Sequence, residues 1–563
     1  MAENHNGNAH HHRNQPSIPK GGWHAAIFII CVEFADRFAY YGLSGNLIQY
    51  LTKVLQEPTA TASKNVNTFI GVSALFPLLG GFIADSYLGR FNTIVASSII
   101  YLLGTIWLTL SVSILKNNSA LFFIGLYILS VGDGGHKPCV QTFAANQFDD
   151  DSPEEKITKN SFFNYWYLGL VGAGLISSIL IYIEDRYGWA TGFGIISGTV
   201  ALALGLFLLG IRRYKKDGPT GSPFTGMAQV LVASIRKWSV GTAREPHIYW
   251  LGEEENNGSH LQSCPKSQSL VHTDQFRFLD KAMIIDELDA SSKIRNPWRL
   301  CSMTQVEEVK LVLRLIPIWL SGLMFFVVQA QLHTFIIKQG ETMIRSIGHF
   351  EIPPASLQSI VGVIIFIAVP IYDRVFVPFA RKFTGHPSGI TVLQRIGLGL
   401  FMSIINMIVA ALLESKRIGV ARENNLLNNP KATLPMSIWW MFPQYLIFGI
   451  SDALAVVGFQ QLFYDEVAET MRSIGAAAYI SLLGFGSLAS NVVIIVVQDI
   501  SSKSGEKWLA GSNVNKAHLD SFYWVLASLS AVNFCIYILV AKTFTYKQLK
   551  VVDPSGDFNH NEV

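Results

Sequence analysis

The chain has 563 residues, of which 50% are hydrophobic and only 15% charged, and its mean hydropathy is +0.33. Soluble globular proteins carry roughly 25% charged residues, so this composition is that of a membrane protein, and a net charge of +3 gives no electrostatic footprint for nucleic acid. The 5 cysteines (Cys31, Cys139, Cys264, Cys301, Cys535) are scattered without CxxC or His/Cys spacing, which argues against a disulfide scaffold or a structural zinc site.

Residues 1–22 read as a polar cytosolic tail without a signal peptide; the run His10–His12 could hold a metal weakly, but it reads more simply as solvated chain. About twelve apolar stretches of spanning length come next, near 24–51, 66–85, 91–113, 119–145, 160–184, 188–212, 306–338, 356–380, 390–413, 436–463, 472–498 and 519–542, since a span needs about 20 apolar residues. The first contains VEFADRFAYYG, which puts Glu33, Asp36 and Arg37 on one helical face inside a span. Each such charge costs about 2.5–3.5 kcal/mol on insertion scales. That face must therefore line the bundle interior or a watery cavity, either as a working site or as a self-neutralising structural trio. Tyr40 and Tyr41 lie further along the same helix and offer hydroxyls and rings to a solute. Lys137 in the fourth segment and Asp452 in the tenth are further buried charges in other spans.

Basic runs beside segments six, eight and twelve place the central loop 214–303 and both termini in the cytosol. The chain then divides into a tail (1–22), a six-helix bundle (23–213), the loop (214–303), a second six-helix bundle (304–543) and a C-terminal tail (544–563). The loop stretch SPFTGMAQVLVASIRKWSV has Met227, Val230, Leu231 and Ile235 at helical spacing, as a helix on the membrane surface or one packed on the protein. Thr304 to Glu307 forms a capping box that should start the seventh span. On this topology Asn117 is a candidate glycosylation site, and the sequon at Asn257 is cytosolic. GGFIADSYLGR after segment two is echoed by VPIYDRVFVPFARK after segment eight, which suggests two related halves and a latch in which Asp85, with Arg90 nearby, or Asp373 pairs across a short loop.

The first echo resembles the loop between helices two and three of the major facilitator superfamily. VEFADRFAYYG resembles the ExxE[K/R]FxYYG motif of proton-coupled oligopeptide transporters. GDGGHKPCVQTFAANQFD, FFNYWYLGLVGAG, NPWRLCSMTQVEEVKLVLRLIPIW, GHFEIPPASLQ and GISDALAVVGFQQLFYDEVAETMRSIG are similar, in order, to signatures of the plant nitrate/peptide transporter (NRT1/PTR) family. The resemblance covers nearly the whole chain, and its last stretch looks most like a subgroup with members at the vacuolar membrane. Asn146 stands where the family usually has Asp.

The resemblance implies an all-α membrane protein with twelve helices in two six-helix halves. It implies that Glu33, Asp36, Arg37 and Lys137 couple proton movement to conformational change, with Asp36 shorter by one methylene than the family's Glu. Carboxylates competing for two cations would bind a proton whenever Lys137 withdraws. By motif position Asn164, Tyr165 and Gln358 line the cavity, and Asp452 matches a helix-ten glutamate that binds a peptide amino terminus. Arg314 is either its ionic partner or a cytosolic anchor. Gln329 stands where a nitrate-carrying relative has histidine, and His333, one turn on, is a candidate replacement. Thr93 in RFNT matches a regulatory phosphorylation position. The expectation is a proton-coupled symporter of nitrate or a di- or tripeptide, not an enzyme. It would have no cofactor or metal, and its partners would be a small solute, protons and the bilayer of the plasma or vacuolar membrane. The alternatives are a weakly coupled facilitator of hormones or specialised metabolites, and a membrane sensor acting through the central loop.

Overall fold

Apolar residues around the whole circumference, rather than on one stripe, make the long helices of this chain stable only where lipid or other helices surround them. In the computed structural model these helices are α1 (Trp23–Lys53), α2 (Thr59–Ile83), α3 (Arg90–Ser113), α4 (Ser119–Ala145), α5 (Pro153–Tyr187) and α6 (Trp189–Leu209). A short α7 (Pro223–Arg236) precedes α8 (Met303–Gln329), α9 (Phe335–Glu341), α10 (Gln358–Ile371), α11 (Val377–Thr384), α12 (Val392–Glu423), α13 (Phe442–Asp465), α14 (Arg472–Lys503) and α15 (Leu519–Thr543). The structure describes residues 21–114, 118–148, 153–238 except 217, 220 and 222, 270–286, 289, 296–547 except 349, 386–388, 431 and 469–470, and the pairs 551–552 and 558–559. Nine helical stretches of the described chain are long and apolar enough to cross a membrane. α1 and α4, which carry buried charges, are not among them.

Local chemistry sets several boundaries. Asn118 caps α4 by accepting from the Leu121 amide at 3.3 Å, and Thr391 and Gln394 form a reciprocal capping box on α12. The box that starts α8 is Ser302 with Gln305, not Thr304 with Glu307. Glu307 is drawn elsewhere: it accepts from the amide and hydroxyl of Thr273 at 3.1 and 2.8 Å. Segment seven is also not one continuous helix. A 3-10 turn, Ala330–His333, separates α8 from α9. The two echoing sequences share a backbone feature, a single π turn at Ala84–Leu88 and another at Tyr372–Phe376, with Asp85 and Asp373 each in second place.

Buried clusters on α1–α6 and on α8–α15 form two cores. They meet chiefly where α2 crosses α14 and α5 approaches α10. At the first crossing a Cβ on Gly71 would stand 2.8 Å from Leu488 Cγ and 3.0 Å from the Gly484 carbonyl oxygen, so a larger residue there would push the two helices apart. The polar contacts between the two groups lie at the ends of the helices remote from α7. Lys53 pairs with Glu341 at 3.3 Å, Lys338 donates to Thr52 at 3.1 Å, and Gln358 donates to the Gly45 carbonyl at 2.9 Å. Asn491 donates to Thr68 at 2.9 Å, and the hydroxyls of Ser178 and Ser359 are hydrogen-bonded. On the opposite face α7 packs on the protein through Val230 and Ala233, in one cluster with Leu279, Val306 and Val309, while Ile235 and Trp238 are exposed.

The remote face is therefore the closed one. Cysteines placed at Ser178 and Ser359 should cross-link on mild oxidation and separate again on reduction. A gel-shift assay on a protease-cleavable variant reads this, and failure to cross-link would mean that the two helices are apart.

Candidate functional site

Glycines bring the charged helices together. A Cβ on Gly80 of α2 would lie 2.2 Å from the Gly134 carbonyl of α4, and one on Gly135 would lie 2.0 Å from Ser97 Oγ of α3. α4 is thereby pressed between α2 and α3, and its polar residues are forced toward α1 instead of lipid.

On α1, Arg37 Nε donates to Glu33 Oε1 at 2.7 Å. On α4, Lys137 Nζ lies 2.6 Å from Asp133 Oδ2 and 4.1 Å from the centre of the Tyr40 ring. The expected competition of Glu33 and Asp36 for Lys137 is thus replaced in this state by a pair within α4. Asp133 was missed in the sequence although its spacing of four from Lys137 was there to find. The structure also splits the expected shared face: Asp36 is only 4% exposed, and among the described residues neither of its oxygens has a hydrogen-bond partner. The imidazole of His136 is the group beside it, with Nδ1 3.8 Å from Asp36 Oδ1. Tyr40 is buried; Tyr41, its ring 5.8 Å away, is partly open.

Across the interior, Gln329 Nε2 of α8 donates to Asp452 Oδ2 of α13 at 3.1 Å. Asp452 Oδ1 and Gln329 Oε1 have no partner among the described residues. Tyr479 of α14 lies near enough to Asp452, Tyr41 and Arg37 to feel their charges; it is a second residue that sequence reading missed. His333 ends the 3-10 turn facing Gln358, and among the described residues no carboxylate lies within ion-pair distance of it. Arg314 is not a partner of Asp452: its Nη2 donates to Thr273 Oγ1 at 2.5 Å, on the α7 face. Asn164 and Tyr165 lie on α5, but their side chains are outside the described residues.

At the α7 face Asp85 and Arg90 approach to 3.6 Å across the turn, as the latch reading expected. Asp373 is exposed and has no ion pair among the described residues. Arg395, further along the chain, instead stacks over Tyr372 at 4.2 Å and donates to the Ala453 carbonyl at 3.0 Å. Thr93 is buried at 4% exposure, and its hydroxyl donates to the Gly89 carbonyl at 3.0 Å. A kinase would reach it only if the start of α3 loosened. Asn117 lies outside the described residues. His272, Asp280 and Glu307 cluster where a metal could be held, yet Lys310 Nζ already fills the position, 2.6 Å from Asp280 and 2.8 Å from Glu307. Burial raises the Asp280 carboxyl above the ordinary carboxylate range despite that ammonium.

Removing one member of a buried pair strands the other. Lys137→Met should therefore lower stability by about 3–5 kcal/mol, and Lys137→Met combined with Asp133→Asn should recover most of it. Thermal unfolding of the detergent-solubilised variants measures both; equal loss in the single and double variants would mean that the pair does not exist.

The profile of the POT family (PTR2) matches residues 91–510. The chain is 55% identical over 540 residues to Protein NRT1/PTR FAMILY 5.4 of Arabidopsis thaliana, covering 95% of this chain and 97% of the relative. It is 45% identical to Protein NRT1/PTR FAMILY 5.10 of the same plant, covering 96% of each. Among solved structures it resembles an autoinhibited POT family peptide transporter, with a TM-score of 0.70 at 21% identity over 92% of this chain and 97% of the other. It also resembles a POT family transporter in complex with 5-aminolevulinic acid, with a TM-score of 0.64 at 15% identity over 94% and 99%.

Proposed function

This chain belongs to the POT family of membrane transporters, and from that premise we propose that it is a proton-driven symporter whose solute carries both an anionic and a cationic group. It is an integral multi-pass membrane protein with the helical architecture of the POT transporters and is not an enzyme. The observation that carries the proposal is the division of charge around the interior. The cations, Arg37 and Lys137, stand on the α1–α4 side. The α13 side offers Asp452, whose Oδ1 has no partner among the described residues and whose Oδ2 has only a neutral amide. A di- or tripeptide or an amino acid-like solute would place its ammonium on Asp452 and its carboxylate toward Arg37, with Tyr41 and Tyr479 between. Nitrate suits the space less well. Gln329 is uncharged and already engaged, and His333 lacks an acidic neighbour among the described residues to support an imidazolium.

In the proposed cycle a proton enters the Glu33–Asp36 carboxylates and the solute seats between the halves. The contacts at the remote face then break, and the α7 face closes. The closed remote face would be non-cytosolic, with the termini and the 214–303 segment in the cytosol of a cell whose plasma or vacuolar membrane carries the protein. Asp85–Arg90 would act in closing the cytosolic face. A weakly coupled facilitator is the second reading, because Lys137 is held by Asp133 on its own helix and a proton on α1 would reach it only indirectly.

Uptake in an expressing cell, with labelled dipeptide and labelled nitrate as probes from about pH 5 to 8, tests the proposal. Asp452→Asn should cut dipeptide uptake by roughly 10- to 100-fold, as expected for loss of a hydrogen bond between charged groups, and leave any nitrate flux unchanged. Nitrate flux without dipeptide flux in the wild type would overturn the solute assignment. Separately, Glu33→Gln and Lys137→Ala should each abolish accumulation driven by an acid exterior at equal surface expression. Persisting acid-driven accumulation in both would favour the facilitator.

A further inference from the structure

α7 buries one stripe against the protein and leaves a second apolar stripe bare. Val230, Ala233 and Ser234 are buried, and Lys237 just beyond them is held by Asp289 at 2.5 Å. The other side presents Leu231, Ile235 and Trp238, which are 37%, 68% and 64% exposed. The last turn reaches Trp238, whose amide donates to the Ile235 carbonyl at 3.1 Å, so spacings of four and three put all three on one face. Packing on the protein does not use this stripe, and water disfavours it. It lies where the lipid-facing surface ends. Phe224, at the start of α7, meets Phe82 of α2 with ring centres 6.5 Å apart, and the Gly221 amide donates to the Asp85 carbonyl at 3.1 Å. Beside that contact Leu79, Ile83, Tyr87 and Leu88 are exposed apolar side chains of a spanning helix and its π turn. α7 also touches α8 and α14, so it crosses the ends of three spanning helices instead of projecting away from them.

We propose that the Leu231–Ile235–Trp238 stripe is inserted in the membrane leaflet on the α7 side, and that Arg236 and Lys281 hold anionic lipid headgroups beside it. Charge supports this occupant over a protein partner. Residues 223–238 contain no acidic side chain. Arg236 is exposed, and Lys281 Nζ lies 5.3 Å from the centre of the Trp238 ring. Each makes one bond to a backbone carbonyl, of Trp298 and Trp238, and has donors left for a phosphate. The carboxylates nearby, Asp280, Asp286 and Asp289, are taken by Lys310, Arg299 and Lys237. Arg212, Arg213 and Lys216, at the end of the sixth span, add exposed positive charge shortly before α7. Tryptophan and basic groups flanking an apolar stripe are the composition of helices that lie in the interface. The choice of anionic lipid rests on the cytosolic orientation proposed above, since the cytosolic leaflet carries the anionic lipids; the insertion itself does not. Both expectations for this helix then hold, on different sides of it: one stripe packs on the protein and the other on the membrane.

Spin-label accessibility of the full chain in vesicles of phosphatidylcholine, with and without phosphatidylserine, tests this. A nitroxide is attached at Ile235→Cys and, in a separate sample, at Asp274→Cys, whose native side chain is 82% exposed on the central segment. The chain labelled without either substitution supplies the background from its native cysteines. Oxygen, which concentrates in lipid, should relax the label at 235 severalfold more than a neutral water-soluble nickel chelate does, and the order should reverse at 274. Phosphatidylserine should lower nickel access at 235 further, and Arg236→Gln combined with Lys281→Gln should remove that response while leaving the label at 274 unchanged. Neither substitution touches the buried stripe, so the fold is kept. Nickel access exceeding oxygen access at 235 would put the stripe in water, and low access to both would mean that a protein surface covers it; either result overturns the proposal. Insertion that ignores phosphatidylserine overturns the headgroup assignment. Because no transport is measured, failure of the symport reading would appear in the flux assays and leave this result standing.

Discussion

A charge inside a helical bundle surrounded by lipid must be neutralised nearby, and the way this chain does so governs the rest of the structure. Arg37 is paired with Glu33, Lys137 with Asp133 and Arg417 with Glu414, each across a spacing of three or four residues on a single helix. Pairs within one helix solve the desolvation problem without tying helices to one another. Apart from Lys53–Glu341 at the remote face, the two halves are not joined by ion pairs among the described residues. Among the described residues Asp36 on α1, Glu184 on α5 and Asp452 on α13 are buried carboxylates without a cation, and in the proposed cycle Asp36 and Asp452 are the ones that take a proton and a solute ammonium. The buried Arg417 is different in role. It reaches beyond Glu414 to Thr342 at 2.9 Å and Asn515 at 2.6 Å, and so fixes the end of α12 to its neighbours.

Contacts between the halves are asymmetric. Glycine allows α2 to lie directly on α14, and a belt of hydrogen bonds, one of them from the Lys338 ammonium, together with the Lys53–Glu341 pair seals the remote face. Such contacts are individually weak and surface-like, which suits a seal that must open. The opposite face is organised around the central segment. Lys310, Glu307, Asp280 and Thr273 bind that segment to the start of α8. The π turns at Ala84–Leu88 and Tyr372–Phe376 sit at matching positions in the two halves. In the first half the helix ends at this turn, at Leu88, whereas in the second it runs on into α11, and of the two aspartates only Asp85 has an ion-pair partner among the described residues.

Length, hydropathy and the charged motif were enough to determine the all-helical membrane class, the order of the long helices and the burial of Glu33 and Asp36. The physical reason is that insertion into lipid depends on composition summed over about 20 residues, and a buried charge announces itself by its cost. Matching motifs carried the family. Helix ends and interruptions were less legible. Ser302 took the cap assigned to Thr304 because Glu307 had a better partner 34 residues away in Thr273, and the break at Ala330–His333 has no proline or glycine to mark it. Only the tertiary structure decided which charge meets which. Glu33, Asp36 and Arg37 are neighbours in the chain, but a one-residue step turns a helix by about 100°, so Asp36 faces His136 of α4 while Arg37 turns back onto Glu33. Partners of that kind come from other helices, at distances set by where glycines let backbones touch, and no spacing within a single segment encodes them.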